Sequence, residues 1–187
     1  MFRPHVKLGK SWAEEAMLVG VGLLLMGWLA PQVWTFQGQL PITPQSLLVV
    51  LWPLLWGWRI GTASVVLYLL AGGAGLPVFA DGAHGWLHFT GSTGGFLLAF
   101  PIAAVMVGGL AEGQSAMKYA KGACLLLLGQ LTIVVLGLMW QRAMIPVEAS
   151  WLETMGHLFP AILVKCALGT LVVVFVGRLM TSHKTPA

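Results

Sequence analysis

The chain has 187 residues, 58% of them hydrophobic and only 9% charged, and its mean hydropathy is +0.86. Soluble domains carry roughly 25% charged residues, so this surface does not mostly face water, and a soluble enzyme or a nucleic-acid-binding domain is excluded. The formal net charge of +4 fits basic loops at one face of a membrane.

The first ten residues, MFRPHVKLGK, are basic, and the apolar run after them continues to Ala30 with no small-residue cleavage site. This pattern reads as a retained first span rather than a signal peptide. Apolar segments then follow near 43–58, 60–75, 94–111, 117–140 and 157–179, making six with the first near 13–30. The second and third are short and are split by Gly57-Trp58-Arg59-Ile60-Gly61. The expected fold is an all-α membrane protein, a six-transmembrane-helix bundle in one integral domain over 13–179. Residues 1–12 and 180–187 form its two ends.

Six spans put both termini on one side. That side carries Arg3, Lys7, Lys10, Arg59, Lys118, Lys121, Arg178 and Lys184, whereas the other carries Arg142 with Asp81, Glu148 and Glu153. The basic face is cytoplasmic by the positive-inside rule. A five- or seven-span arrangement would scatter these charges.

Between spans three and four, on the outer side, lies GLPVFADGAHGWLHFTGSTGG at 75–95. It is too rich in glycine for a helix and too apolar for an ordinary surface loop. Irregular backbone at membrane depth is tolerated only where it is buried in protein or lines a cavity. Phe79, Trp86 and Phe89 offer flat apolar surfaces, and Asp81, Thr90 and Thr93 offer a few hydrogen bonds. Apolar walls with few placed polar groups describe a small-molecule pocket. The bland alternative is an outer loop that merely folds over the bundle. The outer segment 142–156 lies beside it.

His84 and His88 are four residues apart, a spacing that shares a metal on a helix. Gly82, Gly85 and Gly91 argue against a regular helix there, so polar or interfacial histidines are the simpler reading and no metal is expected. Cys124 and Cys166 fall in apolar segments and read as small packing residues. GGLAEGQS at 108–115 has P-loop glycine spacing but carries Gln114 where the phosphate-binding lysine belongs. Energised transport would therefore require a separate ATPase. The nine tryptophans lie mostly near span ends, as in an aromatic belt. Trp140, at the outer end of span five, is placed to line a pocket. Gly57xxxGly61 and Gly109xxxGly113 have the small-xxx-small spacing of close helix contacts. Lys165 sits about two turns into span six, where a charge costs from about 2.5 kcal/mol upward. Either it snorkels outward, or it faces a water-accessible cavity and pairs with an anion.

Several blocks in order resemble the BioY family, the biotin-specific substrate-binding (S) components of energy-coupling-factor (ECF) transporters. The resemblance runs from about residue 38 to residue 178. GLPVFA at 75–80 and GSTGG at 91–95 are similar to the family's Gly-Leu-Pro-Val-Phe and Gly-Pro-Thr-Gly-Gly-Tyr blocks. LPITPQSL at 40–47 resembles its Pro-Val-Thr-Leu-Gln-Thr, and LYLLAGGAG at 67–75 and LGLMW at 136–140 sit where it has similar residues. Ser92 stands where the family has proline, and Phe96 where it has tyrosine. Ile162 stands where the family's Pro-Gly-Asp-x-x-Lys has its aspartate, while Lys165 keeps the lysine. Ala13, Ala16 and Gly20 are the nearest match to the spaced small residues that dock the transport subunit on span one.

The resemblance implies biotin capture from the outer side of the cell membrane, with no catalysis and no cofactor. The implied partners are an ECF transmembrane coupling subunit, two cytoplasmic ATPase subunits and membrane lipid, with no nucleic acid. Against biotin, Asp81 is expected to accept the ureido N–H groups, with Gln45, Thr43 or Thr93 adding bonds. Phe79, Phe96 and Trp140 are expected to pack on the bicyclic ring, and Tyr68 to add a hydroxyl. Lys165 meets the carboxylate or orients a polar neighbour, and Arg142 is the second candidate for the carboxylate. The same fold with a biotin precursor or related ligand, or transporting without the ATPase module, is the alternative. An intramembrane enzyme and a ligand-free structural protein are the readings from other classes.

Overall fold

The computed structural model describes residues 11–36, 40–112, 119–144 and 151–182. Arg3, Lys7, Lys10, Gly113, Gln114, Lys118, Glu148 and Lys184 lie outside them. Helix α1 (Trp12–Leu29) opens with Ser11, whose hydroxyl accepts from the Ala13 N–H at 3.3 Å. Glu14 and Glu15 in its first turn complement the positive end of the helix dipole. A short antiparallel hairpin follows, β1 (Trp34–Phe36) against β2 (Leu40–Ile42), with Thr35 opposite Pro41. Helices α2 (Gln45–Trp56) and α3 (Trp58–Gly73) come next, then a one-turn helix α4 (Leu87–Thr90). The long helices α5 (Gly94–Ala111), α6 (Tyr119–Met144) and α7 (Trp151–Ser182) complete the chain.

The six apolar segments correspond to α1, α2, α3, α5, α6 and α7. Helices α1, α5, α6 and the Leu158–Leu179 part of α7 are long and apolar enough to cross a membrane. With 12 and 16 residues, α2 and α3 are shorter: at about 1.5 Å per residue they reach about 18 and 24 Å, short of a hydrocarbon core of about 30 Å. One residue joins them. Gly57 takes φ 86° and ψ 169°, outside what other residues adopt readily, and its N–H closes on the Pro53 carbonyl at 2.8 Å.

Helix α5 is the hub. It packs on α2, α3 and α6. Its small buried residues Ala99, Ala103, Ala104 and Ala111 let neighbouring backbones approach. One such approach is at Gly108, where any side chain would collide with the Trp58 backbone. Of the 109–113 spacing, Gly109 has nothing within 4 Å of its Cβ position and Gly113 lies outside the described residues. Gly61 packs on Pro53 inside the α2–α3 elbow.

Large apolar side chains stay exposed on α1 (Met17, Leu24, Trp28), α5 (Leu98, Ile102), α6 (Val135, Met139) and α7 (Leu163, Leu171, Phe175). In a multi-pass membrane protein these faces meet lipid. Trp12, Trp28, Trp58 and Trp86 are exposed as an aromatic belt requires. Trp52 is not part of it: it is buried in the core with its ring centroid 5.8 Å from that of Trp56.

Candidate ligand-binding site

The glycine-rich stretch after α3 folds back over the end of the bundle between α3 and α5 and is tied down along its length. Gly85 donates its N–H to the Gly72 carbonyl at 2.7 Å, and Asp81 donates its own to Pro31 at 3.2 Å. Phe79 turns inward and is 3% exposed. Its ring covers Gly72, where any side chain would collide with it. It stands edge-on to Tyr68 and to Phe89, with centroids at 5.7 and 5.8 Å. Trp86 covers Gly73 in the same way. Farther along, the Trp140 indole N–H donates to the Gly91 carbonyl at 3.0 Å. Asp81 has φ 57°, the only non-glycine in that region among the described residues. Aspartate tolerates this left-handed backbone better than most side chains.

Helices supply the opposite wall. At the start of α2, the Gln45 amide donates to the Tyr68 hydroxyl at 2.7 Å, and that hydroxyl donates to the Val78 carbonyl at 2.8 Å. Next to it, Ser46 donates to Gln130 Oε1 at 3.1 Å, and Gln130 Nε2 donates to the Ser46 carbonyl at 2.9 Å. Lys165 Nζ donates to Ser46 Oγ at 3.0 Å. Among the described residues no carboxylate pairs with this ammonium.

Between the two walls is a cavity of about 530 Å³. That is within the roughly 300–1,000 Å³ common for small-molecule sites. Seven of the ten residues expected to bind ligand line it: Thr43, Gln45, Phe79, Asp81, Thr93, Phe96 and Lys165. The other three do not. Tyr68 is fully buried behind Gln45 and Phe79 and fastens both walls. Trp140 packs under Gly95 and holds the Gly91 carbonyl, so it supports the loop from behind. Arg142 lies half-buried in the last turn of α6, off the lining.

The cavity also takes residues the sequence did not single out for it. Ser46 and Gln130 are ordinary polar residues in apolar segments, 84 positions apart, and nothing local marks them as partners. His88 lines the cavity while His84 is exposed, so the two do not face one centre. No group of three or more metal-ligating side chains occurs among the described residues. Leu97, Phe100, Ile133, Val134 and Ile162 complete an apolar lining.

The BioY family model matches residues 4–182. The chain belongs to the BioY family. A probable biotin transporter BioY of Pyrococcus horikoshii is 35% identical over 128 residues, which cover 68% of this chain and 74% of that protein. Biotin transporter BioY2 of Lactococcus lactis subsp. cremoris is 30% identical over 160 residues, 84% of this chain and 85% of that one. The fold matches the crystal structure of the S-component for biotin from an ECF-type ABC transporter with a TM-score of 0.67. That match has 22% identity and covers 90% of this chain and 89% of that one. This BioY chain thus has the S-component fold, helical apart from a short hairpin between α1 and α2.

Proposed function

We propose that the protein captures biotin from the outer side of the cell membrane and passes it inward as the S component of an ECF transporter. One observation carries the reading. An apolar cavity at the outer end of a BioY bundle holds polar groups at two separate places, Asp81 on the loop wall and Lys165 on the helix wall. Biotin has the same layout, with a ureido group at one end, a carboxylate at the other and apolar rings and chain between. Asp81, Gln45, Thr43 and Thr93 serve the ureido group, Phe79 and Phe96 pack on the rings, and Lys165 takes the carboxylate. The relatives' names support the ligand.

The single domain over 13–179 crosses the membrane six times with both termini in the cytoplasm, α2 and α3 spanning as a short pair joined at Gly57. Its partners are a transmembrane coupling subunit and two cytoplasmic ATPase subunits. Ala13 and Ala16 are exposed on α1 and Gly20 has open space beside it, so this helix offers a small-residue face for the coupling subunit.

Calorimetry of the detergent-purified protein tests the reading. Tight one-to-one binding of biotin, weaker for dethiobiotin, is the expected outcome, and no binding by folded protein would overturn it. A second reading, a biotin precursor as the ligand, has one observation in its favour. Ile162 presents an apolar side chain in the cavity wall one turn before Lys165. Dethiobiotin binding more tightly than biotin would decide for it. Vesicles containing the protein alone, with and without the ATPase module, separate obligatory coupling from autonomous transport.

A further inference from the structure

A half-buried lysine that serves a ligand must be held in place without being neutralised. The directions of the hydrogen bonds around Lys165 show how. Gln130 Nε2 donates to the Ser46 backbone carbonyl at 2.9 Å, which leaves Oε1 as the acceptor facing the Ser46 hydroxyl. The hydroxyl gives its one proton to that oxygen at 3.1 Å, which leaves its lone pairs for the Lys165 ammonium at 3.0 Å. Ser46 and Gln130 are 8% and 1% exposed, so bulk water has little access to the bonds between them. The three groups come from α2, α6 and α7, and all three line the cavity. An ammonium has three donors, and one is used on Ser46.

A carboxylate would hold the lysine more simply, but it would also cancel the charge. On α7 a carboxylate three or four residues from Lys165 would share its helix face, and the residue one turn before it is where the BioY resemblance implies an aspartate. That residue is Ile162, buried at 2% exposure in the same wall. We propose that Ser46 and Gln130 are positioning residues that hold Lys165 through a neutral relay in place of a carboxylate, leaving its full charge for the ligand. The inference rests on the reading of this cavity as the biotin site.

The test is a double-mutant cycle by calorimetry on the full-length protein in detergent, with thermal unfolding recorded for each variant. Ser46→Ala weakens biotin binding about tenfold, the effect of one lost hydrogen bond to a charged group. Ser46→Thr, which keeps the hydroxyl, stays within about threefold of the parent. In an Ile162→Asp background a carboxylate takes over the holding, and the Ser46→Ala effect falls to about threefold or less. A role in packing alone would not be rescued by that aspartate. Parent-like binding by Ser46→Ala, or an equal loss in both backgrounds, overturns the inference. If the parent protein binds no biotin, it is the biotin reading that fails. The relay is then judged without ligand, by mass-spectrometric rates of Lys165 acetylation with a small amine-reactive ester. A faster rate in Ser46→Ala supports the relay, and an unchanged rate overturns it.

Discussion

The two walls of the cavity are built by different physics. The loop wall, from Phe79 to Thr93, is mostly irregular backbone around the single turn of α4, fixed mainly by main-chain bonds and by aromatic rings seated on glycines. Its charged group, Asp81, is exposed at the mouth. The helix wall is regular backbone, and its polar side chains bond to one another across three helices, Ser46 and Gln130 buried and Lys165 half-buried. Water solvates a charge on the first wall and is excluded from most of the second. Equal charges on the two walls are therefore unequal in energy, because Coulomb interactions strengthen as the local dielectric falls.

The largest effect should come from the helix wall. Lys165→Met keeps much of the side-chain length and removes the charge. It should weaken biotin binding by about 2–3 kcal/mol, roughly 30- to 150-fold, in the range for hydrogen bonds to charged groups. Calorimetry checks it, and a loss smaller than that of an Asp81 variant would reverse the ranking of the two walls.

The loop wall breaks differently, through shape. Gly72→Ala puts a methyl group into the Phe79 ring and must displace it. The expected cost is about 1–3 kcal/mol of stability from overpacking, with weaker biotin binding because Phe79 itself lines the cavity. Thermal unfolding and calorimetry on one preparation separate the two effects. Unchanged binding would mean that Phe79 supports the loop without touching ligand.

Charge on the loop wall is a smaller matter. Asn tolerates the left-handed backbone at position 81 as Asp does, so Asp81→Asn removes the charge and leaves the turn intact. Biotin affinity should fall about tenfold, with stability within about 0.5 kcal/mol of the parent. No change in affinity would move recognition of the ureido N–H groups to Gln45, Thr43 or Thr93.

The same division governs what could be read from the chain. The loop wall was legible because its glycines, aromatics and single aspartate sit within one short stretch, and the chemistry of turns and close approach is local. Span positions were legible for a similar reason: the segment expected near 94–111 is α5 at Gly94–Ala111, and that near 13–30 is α1 at Trp12–Leu29. Lys165 stood out as a charge in an apolar run. Ser46 and Gln130 did not, since each is unremarkable alone and its meaning depends on a partner 84 or 119 residues away. The hairpin was missed because three-residue strands are too short for an alternating pattern to be seen. Trp140 was visible as an aromatic near the C-terminal end of α6. Whether its ring faces the cavity or the loop behind it depends on its packing with Gly95, which no local pattern carries.

Arg142 sharpens the comparison with the smallest effect. It is a cation that belongs to neither wall: it sits in the last turn of α6, off the cavity lining. A charge near a mouth acts on an approaching carboxylate through solvent, over about the 8 Å screening length of physiological salt. Such a charge changes association rate and its salt dependence more than equilibrium affinity. Arg142→Gln should therefore leave the biotin dissociation constant within about twofold, while slowing association at low salt and making it less salt-sensitive. Stopped-flow measurements across a salt series, beside calorimetry, check both parts. A tenfold loss of equilibrium affinity would place the ligand's carboxylate at the rim with Arg142, leaving Lys165 for a neutral acceptor, and the helix wall would then recognise the opposite end of the molecule.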